Sequence, residues 1–565
     1  MTNETFYWNN EDTKRFTGGD YLRHGETLEQ RARAIADRLE EITGIPGIGD
    51  QFYAMLAKNW FSLSSPVWAN FGRSGLPISC NNSYIPDDIA GMASKLAEVW
   101  MMTKHGAGTS GYFGDIRPSG SPIGDDEGKA DGPVHFMRPF DNAIDVVSQG
   151  QVRRGNFAAY LPLNHPDIDD FLEAREEGHP VQLLSLGVTV TDEWLEEMVA
   201  GDTRKRKIWA RVLRKRFESG FPYIVFHDNM NNAAPEVYKL KGMVINGSNL
   251  CSEIALASSM RESFVCDLGS MNLEKYDEWK DTSAVYLYTI FLDAVMSEYI
   301  EKVKDIPHME AAYNFAKNQR ALGVGVLGYH SYLQKNMIPF ESEEARAINI
   351  EMHKHIWEET QRASRDMAKL WGEPELMKGT GLRNVTTMAI APTKSSSFIH
   401  GQVSPSIEPW HSNYFTQVSA KGKFTVKNKW LEALIDKKVQ LEAGCVDDYE
   451  YQETIRGIWE RILKDNGSVQ NLEFLSDHEK AVFKTFGELS QREIIDQAAD
   501  RQPYIDQAQS LNVMIHPKTP VKDVNALYLH AWKRGIKSLY YQKGQNMAQE
   551  AVRNIMQVDC AACEA

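Results

Sequence analysis

Short apolar stretches alternate with longer segments of helical spacing along most of the chain, and no Pro/Gly/Ser-rich linker interrupts them between residues 56 and 545. Val181 to Val190, Met243 to Ile245 and Val385 to Ala391 are apolar, β-branched runs that predict strands. Ala345 to Trp371 and Glu453 to Leu463 repeat apolar residues at helical steps. In Glu26 to Ile42, Leu28, Ala32, Ile35, Leu39 and Ile42 share one helical face and Gly44 marks the stop. Alternation of this kind predicts an α/β fold with largely parallel strands, whose functional residues gather at loop ends. We therefore expect a helical N-terminal region over 1–55, one large domain over 56–545, and a flexible polar tail over 546–565.

Charge and hydropathy remove several function classes. The formal net charge is −15, which argues against general nucleic-acid binding, where a basic face is expected. No apolar stretch approaches the roughly 18 residues a membrane helix needs. Met1 to Arg15 is polar and mixed in charge, so it does not read as a secretory signal. These features predict a cytoplasmic protein. Gly323-Val-Gly-Val-Leu-Gly328 matches GxGxxG, but it follows the helical segment Ala311 to Leu322 in mid-chain. A dinucleotide fingerprint follows a strand and opens a helix, so this one is expected to be a tight packing turn.

The six cysteines are too sparse for a disulfide scaffold. Cys251 lies between polar neighbours in Asn249-Leu-Cys-Ser-Glu253, and Cys560-x-x-Cys563 lies close to the end of the sequence, where burial is difficult. As half of a zinc site that CxxC lacks a second Cys/His pair. No metal site is expected in this chain.

Five separated elements then act together: Cys80 in Pro77-Ile-Ser-Cys80, Asn249-x-Cys251-x-Glu253, Cys266 in Phe264-Val-Cys266, Tyr540-Tyr541, and Cys560-x-x-Cys563. With these the chain resembles the large, catalytic subunit of class I ribonucleotide reductases from about residue 56 onward. The resemblance implies a ten-stranded α/β barrel with a finger loop carrying the radical cysteine. It also implies reduction of ribonucleoside diphosphates to deoxyribonucleoside diphosphates.

The chemistry is consistent with that resemblance. Removing a ribose 2′-OH requires activation of a C–H bond no ordinary base can deprotonate, and a thiyl radical can take the 3′ hydrogen in a nearly balanced transfer. Cys251 would carry that radical. Glu253 would be the general base for the 3′-OH proton and Asn249 would bind a ribose hydroxyl, both on the same side as Cys251 if the segment is extended. The resemblance assigns Cys80 and Cys266 as the dithiol that supplies two electrons, and Cys560 and Cys563 as the tail that restores it. The 18 residues from Gln542 to Asp559 can extend roughly 60 Å. Tyr540 and Tyr541 match the pair that relays an oxidising equivalent from a partner subunit.

Pro392-Thr393-Lys394-Ser395-Ser396-Ser397, followed by Ser406-Ile-Glu-Pro409, resembles the substrate-phosphate loop, and Ser65 and Ser79 match further substrate positions. Asp87, Arg117, Gln149 and Arg153 resemble the specificity site and its relay loop, where a dNTP or ATP effector selects the base. Implied partners are a small (beta) subunit holding a di-metal radical cofactor, thioredoxin or glutaredoxin, and a second copy in a homodimer. With some 55 residues ahead of the barrel, an N-terminal ATP-binding cone is not expected, nor is dATP shut-off through it. Three other readings compete: an adenosylcobalamin-dependent reductase, a glycyl-radical relative, and a nucleotide sensor without catalysis. The tyrosine pair disfavours the first, the terminal dithiol the second, and the intact cysteines the third.

Overall fold

The computed structural model describes residues 6–18, 21–124, 128–147, 155–419, 422–443 and 448–544. Local signals set many of the helices. Leu28–Thr43 starts at Thr27, which forms a reciprocal capping box with Gln30, and stops at Gly44 in the left-handed region (φ 65°). Its buried face carries Leu28, Ala32, Ile35, Ala36 and Leu39. The predicted helices at 345–371 and 453–463 fall within Glu343–Trp371 and Asp448–Lys464.

The sheet is built from two parallel halves. In the first, Cys80–Asn81, Gly108–Tyr112, Asn156–Pro162, Ser185–Val190 and Tyr223–Phe226 run parallel in that order. In the second, Val265–Asn272 runs parallel to Leu322–Leu327. Parallel bridges then join Val324 to Met388 and Ile390 to Gln509, and Val513–Ile515 runs parallel to Gln542–Gly544. The halves meet at two antiparallel seams: Val265–Asn272 against Cys80–Asn81, and Ser538–Leu539 against Tyr223–Phe226. Among the described residues these contacts close a ring of ten positions, as the resemblance implied. Phe61–Leu63 and Ser83–Tyr84 branch from it.

Two local expectations are corrected. Met243 to Ile245 is not a strand. The Asn231 side chain bonds both Ile245 N (2.9 Å) and Ile245 O (2.9 Å), taking the place a neighbouring strand would fill. The GxGxxG segment is not a turn: Gly323 and Gly325 lie within the strand Leu322–Leu327, and only Gly328 turns, at φ 78°. A Cβ on Gly325 would stand 2.6 Å from Ala389 O, so close strand packing, not a cofactor, requires glycine there.

One hydrophobic core runs from Phe6 to Tyr541 and includes the N-terminal helices. A second, smaller cluster of Leu431, Ile435, Trp459, Ile462, Leu472 and Phe483 lies between Lys429–Ala443, Asp448–Lys464 and the residues after them. Among the described residues no helix is long and apolar enough to cross a membrane.

Candidate active site

Cys80 and Cys266 are directly opposed partners across the first antiparallel seam. Opposed Cβ atoms in such a pair lie about 4.5–5.5 Å apart, close to the range a disulfide spans. Both are thiols here, Cys80 half-buried and Cys266 only 1% exposed. Burial pushes the Cys266 thiol well above its ordinary pKa, while a hydrogen bond from Gln507 Nε2 (3.3 Å) pulls it back. Gly323 leaves room beside that sulfur, since a Cβ there would stand 3.4 Å from Cys266 Sγ.

Cys251 lies on a loop that reaches strands on nearly opposite sides of the ring. Tyr160 Oη donates to Asn249 O (2.7 Å), Ser510 Oγ to Cys251 O (2.7 Å) and Ser538 Oγ to Ser252 O (2.7 Å). Ala508 N donates to Glu253 O (2.8 Å) and Ala255 N to Gln507 Oε1 (3.1 Å). Burial raises the Tyr160 phenol, so it stays protonated and remains a donor. The loop is therefore threaded through the ring.

Its conformation differs from the extended segment expected. Residues 250–252 turn, and Ser252 sits at φ 65°, a conformation uncommon for a non-glycine residue and concentrated at functional sites. Asn249 Oδ1 accepts from Glu253 N (3.1 Å) and Ile254 N (3.2 Å). The grouping of Asn249, Cys251 and Glu253 thus follows from this side-chain clamp and not from strand alternation. Glu253 is 1% exposed, and its Oε2 accepts from Ser510 Oγ (3.0 Å).

Tyr540 and Tyr541 lie just past the second seam with ring centroids 4.2 Å apart. Tyr223 packs on both, at 4.8 and 5.1 Å. Tyr540 N donates to Leu511 O (2.9 Å) and Tyr541 N to Asn512 Oδ1 (3.1 Å). The pair is thereby fixed to the strand that also carries Ser510.

The serine-rich loop forms the helix Lys394–Ile399, preceded at its N-cap position by Thr393 in the left-handed region (φ 51°). Thr393 Oγ1 accepts from Ser406 N (2.7 Å), which ties the loop to the following motif. Ser395 Oγ and Ser406 Oγ are buried with no hydrogen-bond partner among the described residues, as hydroxyls awaiting a polar ligand would be. Ser65 is held by Tyr21 Oη at 3.0 Å. Its helix, Ser65–Asn70, is fixed by Arg31, which donates to Val67, Trp68 and Phe71 carbonyls at 2.7–3.1 Å. Glu408 accepts from Asn512 Nδ2 (2.6 Å) and pairs with Lys543. Burial raises its carboxyl, but Lys543 and Asn512 outweigh this and hold it below the usual range.

Asp87 and Arg117 are brought together and pair with each other, Arg117 Nε to Asp87 Oδ2 at 2.7 Å. Pro392 precedes Thr393 and the helix Lys394–Ile399, and Ser79 adjoins Cys80 on a half-buried segment. Gln149, Arg153, Cys560 and Cys563 lie outside the described residues. Among the described residues no group of three or more His, Cys, Asp or Glu side chains is arranged to hold a metal ion. Gln507, Ser510, Tyr160 and Tyr223 carried no motif signal and emerge only from these contacts.

A closed α/β ring, threaded by one cysteine loop and holding a cross-strand dithiol, is a scaffold for protected thiol chemistry. The family model for the ribonucleotide reductase barrel domain matches residues 78–205, 195–379 and 371–542. The ribonucleoside-diphosphate reductase large subunit of Invertebrate iridescent virus 3 is 32% identical over 603 residues, covering 93% of this chain and 92% of that protein. The large subunit from Caenorhabditis elegans is 26% identical over 585 residues, covering 89% of this chain and 71% of that protein. Among solved structures, the Actinobacillus ureae class Id ribonucleotide reductase alpha subunit is 51% identical with a TM-score of 0.88, covering 96% of this chain and 98% of that one. The chain belongs to the ribonucleotide reductase family.

Proposed function

We propose that this chain is the catalytic large subunit of a class I ribonucleotide reductase and reduces ribonucleoside diphosphates to 2′-deoxyribonucleoside diphosphates. The observation that carries the reading is the register pairing of Cys80 with Cys266, beside the threaded loop that holds Cys251. Cys251, as a thiyl radical, takes the 3′ hydrogen, and Glu253 accepts the 3′-OH proton. Asn249, whose Oδ1 holds the loop, offers its amide nitrogen to a ribose hydroxyl. Cys80 and Cys266 protonate the departing 2′-hydroxyl and supply two electrons, ending as a disulfide. Cys251 then returns the 3′ hydrogen.

Pro392, Thr393, Lys394, Ser395 and Ser396 bind the diphosphate, with Ser65 and Ser79 completing the substrate site. The orphaned Ser395 hydroxyl supports this assignment. Asp87, Arg117, Gln149 and Arg153 form the effector site for dNTPs or ATP, where the Asp87–Arg117 pair opens to receive the nucleotide. Tyr540 and Tyr541 relay an oxidising equivalent from a small subunit. A di-metal cofactor on that subunit supplies the oxidant. Cys560 and Cys563 reduce the site disulfide and are themselves reduced by thioredoxin or glutaredoxin. The division at 1–55, 56–545 and 546–565, a homodimeric assembly and a cytoplasmic location complete the reading.

Diphosphate reduction assayed with and without a candidate small subunit tests it. Turnover should require that subunit and vanish in Tyr540→Phe and Cys251→Ser. Activity of the isolated chain with adenosylcobalamin would overturn the class I assignment in favour of the cobalamin-dependent one.

A further inference from the structure

The dithiol is asymmetric in its surroundings. Cys80 is half-buried, whereas Cys266 is 1% exposed. Gln507, fully buried, donates through Nε2 to the Cys266 sulfur at 3.3 Å.

Every polar atom of Gln507 is occupied. Nε2 also donates to Leu322 O (3.0 Å), and Oε1 accepts from Ala255 N of the threaded loop (3.1 Å). Its backbone N donates to Met388 O (3.1 Å), and its carbonyl accepts from Gln502 Nε2 (3.1 Å) and Lys537 Nζ (2.7 Å). Such a side chain cannot rotate its donor away. A donor so fixed has little to offer a neutral thiol, which is a poor acceptor, but it stabilises a thiolate strongly.

On the reading that Cys80 and Cys266 form a disulfide at each turnover, we infer that Gln507 is a catalytic residue of the reopening step, and that this step has a fixed direction. The incoming thiolate attacks Cys80 Sγ, and Cys266 leaves as a thiolate held by the Gln507 amide. In the first exchange the reductant sulfur bonds to Cys80 Sγ as the Cys80–Cys266 bond breaks, and Cys266 departs with the electron pair and later takes a proton from water. In the second, the other thiol of the reductant attacks its own sulfur in the mixed disulfide. Cys80 is released as a thiolate, which is protonated in turn, and the reductant closes its disulfide. Two electrons and two protons reach the protein, and one dithiol is oxidised.

Exchange runs faster as the leaving thiol's pKa falls, and burial otherwise drives Cys266 in the unhelpful direction. Gln507 offsets that burial at the sulfur whose departure sets the rate. Cys80, the more exposed of the two residues, is the one a reductant can reach.

The test uses the full chain carrying Cys560→Ser and Cys563→Ser, so that the site disulfide is the one opened. The protein is oxidised by turnover with the small subunit and no reductant, then opened with 2-mercaptoethanol and quenched by alkylation. Peptide mass mapping should find the mercaptoethanol adduct on Cys80. Adding Gln507→Met should slow opening about tenfold, with the adduct still on Cys80. An adduct on Cys266 overturns the direction, even if Gln507→Met does not fold. An opening rate within twofold of the parent overturns the role of Gln507. Absence of any Cys80–Cys266 disulfide after turnover overturns the dithiol reading itself, and the inference with it.

Discussion

Ser510 is a single hydroxyl placed between two acceptors, Cys251 O and Glu253 Oε2. It sets where the proposed base sits relative to the proposed radical cysteine. Removing it in Ser510→Ala should cost about 1.5 kcal/mol in the transition state, about tenfold in kcat, with KM changed little. Steady-state kinetics with a nucleoside diphosphate check this, and an unchanged kcat would contradict it. Ser395, proposed above to contact the diphosphate, would act differently: its hydroxyl is buried with no hydrogen-bond partner among the described residues. Ser395→Ala should therefore raise KM about tenfold while leaving kcat within a factor of a few; a loss confined to kcat would argue against a phosphate contact. The cysteines and Glu253 could be nominated as candidates from the sequence because their flanking motifs are local. Ser510 and Gln507 were not, because their partners lie 257 and 241 positions away and a lone polar residue carries no periodic signal.

The strand Leu322–Leu327 shows how an element can be misread. Its two glycines and Gly328 just after it match a cofactor motif, yet both strand glycines serve close packing against neighbouring strands. A Cβ on Gly325 would meet a backbone atom, Ala389 O, at 2.6 Å, whereas one on Gly323 would meet the end of the Leu268 side chain at 2.5 Å and, less closely, Ala389 Cβ at 2.9 Å. Backbone cannot yield as a side chain can. Gly325→Ala should thus destabilise by about 3 kcal/mol and Gly323→Ala by about 2 kcal/mol. Urea unfolding of the two variants would test the order, and the reverse ranking would refute it. Helix Leu28–Thr43 is the opposite case. Its cap, stop and buried face all lie within its own residues and their immediate neighbours, so periodicity and capping chemistry were sufficient to find it.

At the scale of the molecule, burial changes how the protein meets acid. His330, His353 and His400 are fully buried, and burial pulls each down to about 3. Their folded pKa values lie below the unfolded value near 6.5, so the folded state binds fewer protons between those limits. The stability these histidines allow is fully present above pH 6.5 and declines as pH falls below it. Together they should give a slope of roughly 4 kcal/mol per pH unit in the acid range. Asp293 adds a smaller loss at lower pH. Burial would raise its carboxyl, but Arg320 and Arg383 outweigh this and hold it at about 2. Its contribution persists above the ordinary carboxylate range and is lost as pH falls toward 2. Unfolding free energies measured from pH 7 to 5 would check the histidine term, and a flat profile would exclude it.

By itself the sequence determined the alternation of strands and helices and the capped helices, and it nominated three cysteines, Glu253 and the tyrosine pair as candidate site residues. Each of these depends on neighbours within a few residues or on a compact motif. Only the tertiary structure decided that Cys80 and Cys266 face each other, because their pairing is set by the register of an antiparallel seam between two parallel half-sheets. Only it revealed the turn that replaces an extended segment at Cys251, since the bonds that hold that loop come from strands on nearly opposite sides of the ring. A ring closes through contacts between distant segments, and the energetics of those contacts are not written into any local stretch of chain.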